Sequence, residues 1–245
     1  MTITSHHNQR LKEIRKLRQR RRWRDRTGRF VAEGEDLLAA ADAAGWSPVE
    51  RYSAAGSGLP GVEVEPALLA SASGLASGTR ALAVYEERWA PAPVGPWCVY
   101  LHGVADPGNV GTILRSAAAF GASCVALGPA TADPFSLKAV RSSMGAVFEV
   151  PLWRAPEAGG LDALPGLKIA LVPGEGRPLG DLDRQSTKIS QATLLVGAER
   201  PGLPPEVVDQ ADHVAHIPIQ TNSINAAMAA TIALYELANR MAADE

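Results

Sequence analysis

The feature that most constrains the fold is an alternation in the second half of the chain, where short apolar runs are separated by helical patterns or glycine-rich loops. These runs span residues 97–101, 123–127, 168–172, 192–196 and 214–217. Such an alternation is typical of a parallel sheet with helices on both of its faces. The sequence therefore predicts an α/β fold, whose ligands bind at the carboxyl ends of the strands.

The first part of the chain predicts a smaller α/β domain. Leu11, Ile14 and Leu17 recur at helical spacing among basic residues, which indicates an amphipathic helix resting on a core. The apolar residues 30–32 follow. Beyond it we expect a helix over 36–44 and two strand-like segments at 49–52 and 81–85.

The segment from residue 88 to residue 96 is the best candidate for a linker, because its prolines remove backbone donors and restrict the backbone. We therefore predict a first domain over residues 1–88, a linker over 89–96 and a second domain over 97–245. The last helical pattern, over 224–241, has an adjoining face of alanines. Such a smooth face suits close helix packing, including packing against a second subunit.

Charge is distributed unevenly along the chain. Residues 1–29 contain eleven lysines and arginines but only two acidic residues, whereas the whole chain has a formal net charge of −2. A basic arm on an otherwise acidic chain favours phosphate binding, so a nucleic acid is the expected partner. The alternative is a solvated basic helix with no partner. The candidate RNA-binding residues are Arg15, Arg18, Arg20, Arg21, Arg22 and Arg24.

Several other classes of protein are disfavoured. No run of about 18 apolar residues could span a bilayer, and the chain begins with polar and basic residues, so we expect a cytoplasmic protein without membrane contact. Cys98 and Cys124 lie in apolar runs and are expected to be buried free thiols. The histidines lack partners at ligand spacing, so no metal site is predicted. A dinucleotide-binding loop at 174–180 is disfavoured because no apolar helix follows it.

Three loops at predicted strand ends carry polar residues in otherwise apolar surroundings. The first, over 102–115, contains Asn109 at an expected helix start and Arg115 on a helix of small apolar residues. Asn109 could act there simply as a helix N-cap. An arginine in such a setting needs an anionic partner. The second, over 195–203, displays Glu199, and the third, over 217–225, joins a strand to the final helix.

Together these segments resemble the three signature motifs of the SpoU-TrmH RNA ribose methyltransferases, within the SPOUT superfamily. The resemblance covers most of residues 97–245, including the segment at 138–146. The basic helix and the following residues 30–34 also resemble a small substrate-binding domain that many members carry, with a fold shared with RNA-binding ribosomal proteins. The sequence departs from the family at Ala226 and Ala227, where valine and serine are common.

The resemblance implies a trefoil-knotted α/β domain that binds S-adenosylmethionine and acts as a homodimer. It implies cofactor contacts by Leu195, Gly197, Ile217, Pro218 and Ile224. We expect Leu195 and Pro218 to wall the adenine, and a glycine at 197 to allow close approach of the ligand.

The resemblance also implies a catalytic set, Asn109, Arg115, Glu199, Ser223 and Asn225. The family often assigns the role of base to the arginine. Because a guanidinium stays protonated, we expect Arg115 instead to clamp an RNA phosphate and polarise the ribose hydroxyl, with Glu199 holding the arginine. Ser223 and Asn225 would orient the nucleotide or the loop.

The implied activity is transfer of a methyl group to a ribose 2′-hydroxyl, most readily in 23S ribosomal RNA because the chain has a discrete N-terminal domain. One alternative is a transfer RNA substrate. Another is an RNA-binding ribosome assembly factor that has lost methyl transfer, against which the intact polar set argues.

Overall fold

The computed structural model describes residues 2–73, 78–156, 160–182 and 190–242. The helices are, in chain order, α1 (Gln9–Gln19), α2 (Arg21–Thr27), α3 (Glu35–Ala43), α4 (Pro66–Ala72), α5 (Pro107–Ala119), α6 (Leu137–Ser143), α7 (Ala146–Glu149), α8 (Pro205–Val208) and α9 (Ala226–Ala242), with a 3-10 turn at Leu179–Asp181. The strands are β1 (Arg29–Glu33), β2 (Glu50–Ala54), β3 (Val62–Val64), β4 (Ala81–Glu86), β5 (Trp97–Leu101), β6 (Cys124–Leu127), β7 (Leu152–Arg154), β8 (Leu167–Leu171), β9 (Arg177–Pro178), β10 (Ala192–Val196) and β11 (His213–His216).

The chain forms two compact units. The N-terminal unit consists of Met1–Glu87 together with Asp133–Glu149, and the C-terminal unit consists of Arg88–Ala132 together with Val150–Glu245. The sequence-based division assigned every residue from 97 onwards to one domain, whereas residues 133–149 belong to the N-terminal unit. Residue 88 and the predicted linker, 89–96, belong to the C-terminal unit.

The N-terminal unit is built on a sheet with the strand order β1-β4-β2-β3. The β1–β4 and β4–β2 pairs are antiparallel, and β2 and β3 are parallel. Leu11, Ile14 and Leu17 on α1 are fully buried and belong to the same core cluster as Val31 and Leu82 of the sheet. The amphipathic helix inferred from the spacing of these residues is therefore confirmed.

Segment 133–149 belongs to the N-terminal unit because its aromatic residues lie in that unit's core. The rings of Phe135 and Phe148 lie 4.6 and 6.0 Å from that of Phe30. Trp46 packs edge-on against Phe148, and its indole N–H donates to the Phe148 carbonyl at 2.8 Å. These contacts join residues about a hundred positions apart, which no local sequence pattern could reveal.

The C-terminal unit contains the predicted parallel sheet. Its strand order is β7-β6-β5-β10-β8-β11-β9, and every neighbouring pair in it is parallel. The five apolar runs identified in the sequence correspond to β5, β6, β8, β10 and β11, with boundaries shifted by at most one residue. Cys98 on β5 and Cys124 on β6 are neighbours in the strand register. Both are buried free thiols, as predicted.

Helix α9 packs along α5 through its small residues. Ala226, Ala227, Ala230 and Ala233 are buried, and Thr231 shares a 2.6 Å hydrogen bond with a serine of α5. The suggestion that the alanine face could meet a second subunit is therefore wrong, because that face already lies against the same chain. Among the described residues, no helix is long and apolar enough to cross a membrane.

Candidate functional site

The three polar loops meet because the strands that precede them are close neighbours in one parallel sheet. The first loop follows β5 and the second follows β10, which lie side by side. The third follows β11, which is separated from β10 only by β8. Since β6 and β7 extend one way from β5 and the later strands extend the other way, the loops lie at the point where the strand order reverses. Such a point is the usual ligand site of an open parallel sheet.

A cavity of about 780 Å³ lies at this edge of the sheet. Its wall includes residues 196–198 and the apolar residues Leu203, Ile217 and Ile224. The acidic residues Glu175, Glu199 and Asp209 and the cation Arg200 also line it. Of these four residues, only Glu199 was predicted from the sequence as a site residue. The volume lies in the range of about 300–1,000 Å³ that is typical of small-molecule sites.

Of the five predicted cofactor contacts, three line this cavity: Gly197, Ile217 and Ile224. Leu195 does not line it, because its side chain is fully buried in the core of the sheet. Pro218 lines a neighbouring cavity of about 700 Å³ on the same loop. A strand residue whose side chain faces the core cannot also face a ligand, which excludes Leu195 from the cavity wall.

Gly197 is required for a reason other than the one expected. A Cβ atom at this position would lie 2.3 Å from the Gly202 carbonyl carbon and 2.3 Å from the Leu203 nitrogen. The turn closes on itself there, with backbone hydrogen bonds of 3.2 and 3.1 Å between Ala198 and Gly202. The glycine therefore permits the tight turn that displays Glu199, and close approach of a ligand is not needed to explain it.

A chain of hydrogen bonds joins one polar residue from each loop. The Asn225 amide nitrogen donates to the Asn109 oxygen at 3.1 Å, and the Asn109 amide nitrogen donates to Oε1 of Glu199 at 2.5 Å. The Asn225 oxygen accepts from the backbone nitrogens of Ala227 and Met228 at 2.9 and 3.2 Å. Asn225 thus caps α9 and contacts the site at the same time. We name Asn225, Asn109 and Glu199 the amide relay.

Asn109 does not cap α5, which was the alternative to a role in the site. Asp106 is the cap, and its carboxylate accepts from the Gly108 and Asn109 backbone nitrogens at 2.6 and 3.2 Å. Pro107 follows as the first helical residue. An aspartate directly before a proline is a helix-start signal that the sequence itself contains. With the cap supplied by Asp106, the Asn109 side chain is free to join the relay.

The two remaining predicted catalytic residues are placed differently. Ser223 lines the cavity. Arg115 lies on the exposed face of α5, and among the described residues its side chain has no ion pair or hydrogen bond. The expected contact between Glu199 and Arg115 is therefore wrong for this structure, because Glu199 accepts from Asn109 instead.

A second polar pair lies just behind the first loop. The Tyr100 hydroxyl is 3.0 Å from Nδ1 of His102, whose backbone nitrogen donates to the Val196 carbonyl at 2.9 Å. Burial lowers the pKa of His102, and the nearby Glu206 carboxylate only partly opposes this effect. Burial likewise raises the pKa of Tyr100. Both side chains are thus favoured in their neutral forms.

In the N-terminal unit, two of the predicted RNA-binding arginines are structural. The Arg24 side chain is only 5% exposed and pairs with Asp133 at 2.7 Å, while it also donates to the Leu17 carbonyl at 2.6 Å. Its prediction as an RNA contact is wrong, because a buried guanidinium is not available to a phosphate. Arg18 is half-buried and donates to the carbonyls of Ala72 and Ser73 at the end of α4.

The rest of the basic arm is more accessible. Arg20, Arg21 and Arg22 are exposed, and among the described residues only Arg21 of the three has an ion pair, a long one of 3.8 Å to an aspartate of the same helix. Arg15 is half-buried and donates to a backbone carbonyl at 3.4 Å. Arg26 lies over the Trp23 ring, 3.7 Å from its centre. The sequence pattern alone does not show how exposed each arginine is, so it could not separate the structural arginines from the accessible ones.

Comparison with known proteins shows the family to which the chain belongs. The profile of the SpoU rRNA Methylase family matches residues 96–235. The chain belongs to this family. The profile of the MRM3-like substrate binding domain matches residues 8–87.

The relatives of this chain match different shares of its length. The 23S rRNA (guanosine(2553)-2′-O)-methyltransferase RlmP of Bacillus subtilis is 34% identical over 55% of this chain, which spans 54% of that protein. An AdoMet-bound rRNA methyltransferase from Sinorhizobium meliloti has a TM-score of 0.85 at 33% identity, covering 98% of this chain and 97% of that one. The SpoU methyltransferase AviRb from Streptomyces viridochromogenes, in complex with AdoMet, has a TM-score of 0.82 at 27% identity, covering 96% and 98%.

The positions at which this chain departs from common family residues, Ala226 and Ala227, lie at the start of α9. Ala226 lines the cavity, and Ala227 is buried against its own chain while its backbone nitrogen donates to the Asn225 cap. Neither alanine interrupts the amide relay. Among the described residues, no group of three or more His, Cys, Asp or Glu could hold a metal ion.

Proposed function

We propose that this protein transfers a methyl group from S-adenosylmethionine to a ribose 2′-hydroxyl of 23S ribosomal RNA. The observation that carries the proposal is the amide relay, which brings polar residues of three separate loops together beside a cavity at the switch point of the sheet. The full-length similarity to AdoMet-bound methyltransferases supports the cofactor, and the similarity to RlmP supports the ribose hydroxyl.

The cofactor would be held by Gly197, Ile217 and Ile224 in the 780 Å³ cavity. The residues fit such a molecule, because the wall combines apolar side chains that suit an adenine with polar residues, such as Asn222 and Ser223, that can form hydrogen bonds. When bound, S-adenosylmethionine supplies an electrophilic methyl group on a sulfonium. The protein's own task is then to align the ribose and remove the hydroxyl proton.

Arg115 would bind the RNA phosphate next to the target ribose. Its position on an exposed helix face, without a partner among the described residues, leaves its guanidinium available to an anion. Ser223 would help to orient the nucleotide from the cavity wall, and Asn225 would do so through the relay.

The N-terminal unit would hold the RNA through its basic arm. Arg20, Arg21 and Arg22 are the exposed cations best suited to phosphate contacts, with Arg15 beside them. This role agrees with the match to a substrate-binding domain. Since the substrate is ribosomal RNA, we place the protein in the cytoplasm.

The active form would be a homodimer that pairs through α9. Met228, Ile232 and Tyr235 lie at helical spacing and are 59%, 41% and 54% exposed, which forms an apolar stripe on the outer face of this helix. Exposed apolar stripes of this kind mark association surfaces. The trefoil knot that the family resemblance implies stays a prediction alongside the dimer.

The test is transfer of a radiolabelled methyl group from S-adenosylmethionine to unmodified 23S ribosomal RNA and, separately, to unmodified transfer RNA. We expect label in the ribosomal RNA. Arg115→Ala should abolish transfer and leave the Kd for S-adenosylmethionine within about twofold, since the arginine contacts RNA rather than cofactor. Label only in transfer RNA would overturn the substrate assignment. No label in either, despite cofactor and RNA binding, would favour an assembly factor.

A further inference from the structure

We propose that the Glu199 carboxylate accepts the proton of the ribose 2′-hydroxyl through its Oε2 atom. The proposal rests on the proposed methyl transfer and assigns the proton acceptor within it. The direction of each hydrogen bond in the amide relay follows from the orientation of the Asn225 amide at the N-terminus of α9.

Each amide in the relay has a single consistent orientation. The Asn225 oxygen must face α9, because two backbone N–H groups point at it. Its nitrogen must then face Asn109, which receives this donor with its own oxygen. The Asn109 nitrogen is consequently directed at Glu199, where only an acceptor can satisfy it. The relay therefore delivers an N–H donor to Oε1 and holds the Glu199 side chain in one orientation.

Oε2 of Glu199 remains available. Within the described part of the chain, no hydrogen bond or ion pair engages this oxygen, and the residue lines the cofactor cavity. Arg115 neither pairs with the carboxylate nor has a lone pair with which to accept a proton. Of the side chains in the predicted catalytic set, Glu199 alone is an anionic base held in a fixed position beside the methyl donor's cavity.

The step balances in atoms and charge. The O–H bond of the 2′-hydroxyl breaks and its proton passes to Oε2, while a bond forms between O2′ and the methyl carbon and the bond from that carbon to sulfur breaks. A sulfonium and a carboxylate become a neutral thioether and a neutral carboxylic acid, which then releases its proton to water. Asn109 and Asn225 act as positioning residues.

The experiment compares Glu199→Ala, Glu199→Gln and the control Glu206→Ala, an exposed carboxylate on α8 outside the cavity wall. Single-turnover transfer to 23S ribosomal RNA is measured at saturating S-adenosylmethionine. Both Glu199 variants should be slower by about 10²–10⁴-fold, the usual contribution of a positioned base, and the control should match wild type. Calorimetric Kd values for S-adenosylmethionine should stay within about twofold of wild type.

Chemical rescue separates a proton acceptor from a structural role. Added formate and acetate should partly restore Glu199→Ala, and acetate should do so better because it is more basic. Acetamide, which has the same shape and no basicity, should not restore it. A Glu199→Gln rate near wild type, a parallel loss of S-adenosylmethionine affinity, or equal rescue by acetamide would overturn the proposal. An inactive wild type would instead refute the proposed function.

Discussion

At the scale of single residues, Asn225 shows how one side chain can serve a helix and a site together. Its oxygen caps α9, and its nitrogen begins the relay toward Glu199. A family motif lists such a residue without separating these two contributions. The structure separates them, since the two contacts use different atoms of the same amide.

Asn225→Asp and Asn225→Ala form a matched pair that tests this separation. Aspartate keeps the capping oxygen but cannot donate to Asn109, so transfer should slow by about 10–100-fold while the free energy of unfolding stays nearly unchanged. Alanine loses both functions, so it should slow transfer similarly and also destabilise the protein by about 1 kcal/mol. Urea unfolding and single-turnover rates provide the two measurements. Wild-type transfer in the aspartate variant would contradict the relay.

At the scale of elements, the strands and the first helix could be predicted because their signals are local. Apolar runs marked the strands of the parallel sheet, and the spacing of Leu11, Ile14 and Leu17 marked α1. Burial of Arg24 and the placement of 133–149 in the N-terminal unit could not be predicted, because both depend on contacts between distant segments. The site was predicted as a set of residues through family resemblance, but the partner of Glu199 required coordinates.

Arg24 and Arg22 are neighbours on α2 with opposite expected roles. Arg24→Ala leaves Asp133 buried without its ion-pair partner, and it should reduce the opening free energy of α1, measured by amide hydrogen exchange, by about 3–5 kcal/mol. Arg22→Ala should leave that exchange unchanged and weaken RNA binding, with a smaller salt dependence of the affinity. Equal effects of the two variants on hydrogen exchange would contradict the assignment of Arg24 as structural and Arg22 as RNA-binding.

At the scale of the whole molecule, the exposed stripe on α9 carries the prediction of a homodimer. Light scattering of the wild type should give about twice the 25.8 kDa chain mass. Ile232→Glu places a charge in the stripe and should give a monomer, since a buried unpaired carboxylate opposes association. Val49→Glu, at another exposed apolar residue, is the control and should remain dimeric. A monomeric wild type, or a dimeric Ile232→Glu variant, would contradict this role for α9.

The most direct test of the central claim identifies the atom that is methylated. Unmodified 23S ribosomal RNA is incubated with the protein and S-adenosylmethionine, digested to nucleosides and analysed by mass spectrometry, and the modified position is then mapped. We expect a 2′-O-methylnucleoside at one position, because a single polar cluster aligns one ribose. A methyl group on a base, or no methylated nucleoside although cofactor and RNA both bind, would contradict it.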